Sequence, residues 1–121
     1  MKVLIADDEP LIRRSLQKIF QRQGHEVVLA EDGKQAVALW RAEKPDGVIL
    51  DVLMPGFTGP EVIAEVGATD NVPILLISAY TGDYNPEMAK SLGADLFIEK
   101  PFDSLPGLVQ ALEDLMEKKK P

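Results

Sequence analysis

Five short apolar runs, separated by stretches that read as amphipathic helices, constrain this chain more than any other feature. The runs are Val3 to Ala6, Val27 to Ala30, Val48 to Leu50, Ile74 to Ile77 and Leu96 to Ile98. Each is rich in β-branched residues and nearly continuous in apolarity, the pattern of strands covered on both faces. The first helical pattern begins at Pro10, with Asp8 or Glu9 as cap. It sets Ile12, Leu16, Ile19 and Phe20 on one face and stops at Gly24. The second follows Asp32 and carries Ala36, Val37, Leu39 and Trp40, with Pro45 closing the connection. The third is short, from Pro60 towards Gly67, with Val62, Ile63 and Val66 inward. The fourth starts around Asn85-Pro86 and ends at Gly93, and the fifth follows Asp103 or Ser104 with Leu108, Ala111, Leu112 and Leu115 at helical spacing.

Strict alternation of this kind predicts an α/β fold, a five-stranded parallel sheet with five helices on its two faces. Right-handed crossovers leave few topologies. The doubly wound order 2-1-3-4-5 is one of the two common ones, and its ligand crevice lies at the carboxyl ends of strands 1 and 3. A chain of 121 residues fits one domain, 1–121, and no repeat, low-complexity run or internal linker divides it.

Composition removes several function classes. With no cysteine, disulfides, thiolate metal sites and cysteine nucleophiles are excluded, and the sole His25 cannot build a multi-histidine centre. The net charge of −7 argues against nucleic-acid binding by this chain. The basic end, Lys118 to Lys120, reads as a helix end suited to the negative pole of the helix dipole. The start MKVLIADDEP is too short an apolar run for a signal peptide, and no stretch approaches the ~18 apolar residues of a membrane span. A cytoplasmic protein with no membrane association is expected.

The residues expected at the carboxyl ends of the strands carry the chemistry. Asp7 and Asp8 follow strand 1, Asp51 ends strand 3, Ser78 ends strand 4 and Lys100 follows strand 5. Singly, each has a plainer reading: a helix cap for Asp7-Asp8, a solvated turn for Asp51, a strand-end hydroxyl for Ser78, a loop cation for Lys100. Together they bring three carboxylates to one edge. Two such charges ~4 Å apart cost about 4 kcal/mol at an effective dielectric of about 20, so either some protonate or a cation joins them. Oxygen donors alone suit a hard ion, magnesium best, and magnesium pairs naturally with phosphate. A carboxylate can accept a phosphoryl group as an aspartyl phosphate, with Lys100, magnesium and the Ser78 hydroxyl stabilising the charge.

At these residues the chain resembles the receiver domain of two-component response regulators. The matching segments are VLIADDEP, ILDVLMPGFTG around Asp51, LLISAY around Ser78 and FIEKPF around Lys100, and the likeness covers essentially the whole chain. A chemotaxis member of that family is a standard example of the 2-1-3-4-5, flavodoxin-like order, so the fold expectation and the resemblance are not independent. The resemblance implies that Asp51 is the phosphoacceptor and that Lys100 pairs with the phosphoryl oxygens. It implies that Asp7, Asp8, Asp51 and the backbone carbonyl of Leu53 hold Mg2+, directly or through water. Ser78 and Phe97 would move together as the switch. Leu53 and Tyr80 occupy the positions through which the family tunes hydrolysis. The donor would be a phosphohistidine on a sensor histidine kinase or phosphotransfer protein, and an unnamed effector would read the face of helix 4, strand 5 and helix 5. Such a chain is a switch, not a turnover enzyme.

Some positions depart from the commonest pattern. Phe97 has no hydroxyl where tyrosine is frequent, Gly82, Asn85 and Pro86 make the lead into helix 4 irregular, and helix 5 lacks the arginine of one family dimer mode. Two rival readings stand beside this one. A degenerate receiver would bind partners without phosphorylation, against which the full set of acids, Ser78 and Lys100 argues. A phosphohydrolase working through aspartyl phosphate usually has a second acid where Leu53 stands, and a cap insertion for which there is no room. A cobalamin-binding domain of similar fold would want a histidine in the crevice, and His25 lies before strand 2.

Overall fold

The computed structural model describes residues 1–67, 71–79, 86–102 and 104–119. Tyr80, Gly82, Asn85, Asp103 and Lys120, all invoked above, lie outside the described residues. The strands are β1 (Lys2–Ala6), β2 (Glu26–Ala30), β3 (Gly47–Asp51), β4 (Ile74–Ser78) and β5 (Leu96–Glu99). The helices are α1 (Pro10–Arg22), α2 (Gly33–Glu43), α3 (Gly59–Val66), α4 (Pro86–Ser91) and α5 (Leu105–Lys119). All pairings are parallel, in the order β2-β1-β3-β4-β5. Among the described residues no helix is long and apolar enough to cross a membrane.

Alternate side chains of the central strands feed two cores. Leu4, Ala6, Val48, Leu50, Ile74 and Leu76 face Ala36, Val37 and Trp40 of α2 and Val62 and Ile63 of α3. Val3, Ile5, Ile49, Leu75 and Ile77 face Leu16 and Phe20 of α1 and Leu108, Val109, Leu112 and Met116 of α5. Burial on both faces holds for β1, β3 and β4. The edge strands β2 and β5 are mostly half-buried, because each has a neighbour on one side only.

Two local readings need correction. The buried stripe of α5 is Leu108, Val109, Leu112 and Met116, whereas Ala111 and Leu115 are only half-buried. Gly47 is one reason for this roll: a Cβ there would stand 2.7 Å from Met116 Sδ, so the missing side chain makes room for the methionine. Helix α3 begins at Gly59 rather than Pro60, on a reciprocal cap in which Thr58 Oγ1 accepts from Glu61 N (3.2 Å) and Glu61 Oε1 accepts from Thr58 N (2.9 Å). Helix α4 is short, at six residues, and α5 ends in an ion pair of Lys119 with Asp95 at 2.9 Å.

That α3 cap holds the chain leaving β3 against the end of β3 itself. Gly59 N donates to Val52 O at 2.9 Å, and a Cβ on Gly59 would stand 2.7 Å from the Asp51 carbonyl oxygen. Gly59→Ala should therefore destabilise the protein by roughly 1–3 kcal/mol, against the usual preference of a helix for alanine. Urea denaturation at equilibrium measures it.

Candidate functional site at the carboxyl edge of the sheet

The strand register delivers the site. Ala6 pairs with Leu50, so Asp7 and Asp51 follow at the same level on adjacent strands. Asp51 pairs with Ile77 and Ser78 with Glu99, which brings the Ser78 hydroxyl and Lys100 to the same edge. Three hydrogen bonds continue this edge past the strands: Asp7 N to Ala30 O at 3.2 Å, Val52 N to Ile77 O at 2.9 Å and Lys100 N to Ser78 O at 2.9 Å.

Asp7, Asp51 and Ser78 are the buried polar residues of the described core. The Lys100 ammonium lies 2.8 Å from Asp7 Oδ2, 3.0 Å from Glu9 Oε1 and 3.3 Å from Asp51 Oδ2. Asp7 Oδ1 accepts from Glu9 N at 2.8 Å. The close approach of Lys100 to Asp7 Oδ2 is an ion pair off the axis of a hydrogen bond, so that oxygen is buried and accepts none. Paired in charge but claimed by no hydrogen bond, that oxygen keeps lone pairs that a cation ligand needs. One carboxylate oxygen from each of Asp7, Asp8, Glu9 and Asp51 lies within 4.8 Å of the others. This all-oxygen set fits a hard divalent cation.

An open cleft of about 380 Å³ leads to these groups, lined by Asp8, Glu9, Asp51, Leu53, Ser78, Ala79 and Lys100, with Leu53 exposed at its mouth. A larger cleft of about 580 Å³ runs beside α5 from Phe97 to Leu108. Lys100 borders both, but Asp8, Glu9 and Asp51 line only the smaller, which is where the chemistry belongs. Phe97 lines the larger cleft and is half-buried against the α2–α3 core. His25 is remote as expected, its Nε2 2.8 Å from Glu113 Oε2.

Two contributors escape a reading by strand ends. Glu9, expected only as a helix cap, makes no side-chain cap hydrogen bond and turns to Lys100 instead. The three-acid run Asp7-Asp8-Glu9 was the available signal. Arg13 donates from Nη1 to the Asp7 carbonyl at 2.7 Å, bracing the acidic turn from α1. Its position one helical turn after Glu9 hints at this, but only the fold gives the partner.

Burial, then the charge of Asp7, push the Asp51 carboxyl up to about 7 against the opposing pull of Lys100. For Lys100, burial works to lower the pKa, but contacts with Asp7, Glu9 and Asp51 outweigh it and hold the ammonium above its ordinary value.

Residues 3–113 match the response regulator receiver domain profile. The chain belongs to that family. This receiver domain is 39% identical over 113 residues to the transcriptional regulatory protein PdtaR of Mycobacterium tuberculosis, covering 93% of this chain and 55% of PdtaR. It is 36% identical over 99 residues to the transcriptional regulatory protein AfsQ1 of Streptomyces coelicolor, covering 82% of this chain and 44% of AfsQ1. The chain spans about half the length of the curated relatives it matches. Among solved structures, the receiver domain of the Francisella response regulator 1452 superposes with a TM-score of 0.86 at 27% identity, over 98% of both chains. TrrA of Thermotoga maritima, solved in complex with Mg2+-BeF, gives 0.81 at 33% identity, over 94% of this chain and 97% of TrrA. Receiver domains of this family belong to two-component systems.

The raised Asp51 pKa makes a stability prediction with a definite sign. Between about pH 4 and pH 7 the folded protein keeps a proton on Asp51 that the unfolded chain has released. That contribution is full below the unfolded value and lost as pH rises through the folded one. In chelator, Asp51→Asn should be more stable than the parent by roughly 2 kcal/mol or more at pH 8, and the gap should close towards pH 4. Urea midpoints at the two pH values measure the difference.

Proposed function

We propose that this receiver domain, acting as one unit over residues 1–121, takes a phosphoryl group on Asp51 and thereby switches a two-component pathway. The observation that carries the reading is Asp51 itself: a buried carboxylate at the floor of an open cleft, with the Lys100 ammonium 3.3 Å away. An Asp51 carboxylate oxygen would attack the phosphorus of a phosphohistidine. The P–N bond breaks, its electron pair goes to the imidazole nitrogen, and that nitrogen takes a proton from solvent. Lys100 meets the charge spreading over the equatorial oxygens, and Ser78 offers its hydroxyl from the neighbouring strand.

The donor set supports Mg2+ held by Asp7, Asp8, Asp51 and the Leu53 carbonyl. When bound, the ion supplies charge neutralisation for an anionic donor and product. The Mg2+-BeF complex of TrrA lends this analogy. Phosphorylation would bias a two-state element of Ser78, Phe97 and Tyr80, read by an effector on α4, β5 and α5. Phe97 would switch by packing alone, since it lacks a hydroxyl. The partners would be a cytoplasmic kinase or phosphotransfer protein and that effector, and the chain would act as a switch, not a turnover enzyme.

With magnesium and acetyl phosphate, intact-mass measurement should find one added phosphoryl group, absent in Asp51→Asn. An unchanged mass in the parent would overturn the reading. The phosphoryl group should last minutes or longer, because the Leu53 side chain offers no polar atom at the cleft mouth to orient an attacking water. Decay of a radiolabelled phosphoryl group measures this, and loss within seconds would contradict it.

A further inference from the structure

We propose that Glu9 is a positioning residue that holds Lys100 before phosphorylation and lets go of it when a phosphoryl group arrives. The proposal rests on the reading of Asp51 as phosphoacceptor. An ammonium has three donors. Among the described residues, Lys100 Nζ faces three carboxylates: Asp7 at 2.8 Å, Glu9 at 3.0 Å and Asp51 at 3.3 Å. Glu9 and Asp51 accept hydrogen bonds from it, while Asp7 is held as an ion pair off that axis, so a phosphoryl oxygen that takes the place of Glu9 gains both a donor and the charge that Glu9 now neutralises.

The three partners are not equivalent. The side chains of Asp7 and Asp51 are 0% and 6% exposed, whereas that of Glu9 is 56% exposed. A buried carboxylate that loses its cation stays stranded in a poor solvent; an exposed one is rehydrated at once. Glu9 is therefore the partner released at least cost. Its backbone explains its availability: Glu9 sits at the cap position of α1 without using its side chain there, and its N–H is held by Asp7 Oδ1 at 2.8 Å. The side chain stands at the rim of the cleft that an anionic donor must enter. Until displaced, it both occupies Lys100 and repels that donor.

The test is Glu9→Gln, which keeps the shape and removes the charge. Initial rates of phosphoryl gain are measured against acetyl phosphate concentration at saturating magnesium, in low and high salt, and magnesium affinity is measured separately by calorimetry. The half-saturating donor concentration should fall about two- to fivefold, the range open to an exposed ion pair. The gain should shrink in high salt, magnesium affinity should stay within about twofold, and Glu9→Asp should behave closer to the parent than Glu9→Gln does. A tenfold loss of magnesium affinity would instead make Glu9 a metal ligand and overturn the proposal. So would a donor dependence equal to that of the parent. If the parent itself gains no phosphoryl group, the phosphoacceptor reading fails and takes this inference with it; a normally labelled parent with an unchanged variant sinks only the role of Glu9.

Discussion

A carboxylate removed from water needs a positive charge beside it, and at this sheet edge that charge comes from the far side of the site. Lys100 follows β5, while the acids it meets follow β1 and β3. The ammonium must therefore cross the level of β4 to reach them, and it does so almost wholly buried, its side chain 7% exposed. This one cation holds Asp51 ionisable in a place that otherwise favours its proton, and it gives Asp7 an ion-pair partner where hydrogen bonding falls short. One ammonium does not balance four acids. The remaining negative charge is what makes the cleft receptive to a divalent ion and sensitive to what approaches it.

The sheet makes this meeting possible without special devices. Parallel strands in register end at one level, and the β1–β3 and β3–β4 ladders set their last pairs within a residue of Asp7, Asp51 and Ser78. The same pairing that buries Val48 to Leu50 also aims Asp51. Stability and chemistry thus draw on one set of backbone hydrogen bonds, and the turn after β3 is kept tight by Gly59 against the Asp51 carbonyl.

Much of this was legible in the amino-acid order. Apolar runs of four or so residues with acids or a lysine just beyond them mark both the strands and the reactive edge, because period and polarity change at the same residue. Handedness left few strand orders, and the resemblance to receiver domains singled out 2-1-3-4-5 among them. What was not legible depended on side-chain direction. Glu9 could have capped α1 or turned to Lys100, and only the position of β5 decides. The roll of α5 depends on Gly47, a residue far away in sequence whose lack of a side chain admits Met116. The Thr58–Glu61 cap was a different matter: its Thr-x-x-Glu spacing stands openly in the chain, but Pro60 was the louder signal for a helix start.

The shared register also divides the molecule into a rigid and a permissive end. A residue inserted within β3 would turn Asp51 to the opposite face and exchange the two cores at once. The helix-to-strand connections, residues 23–25, 44–46 and 92–95, lie at the other edge. A change of length there alters how a helix hands the chain to the next strand and leaves the level of the acids untouched. Relatives should therefore accumulate insertions and deletions lopsidedly, along the edge remote from Asp51, while the connections beside it keep their lengths.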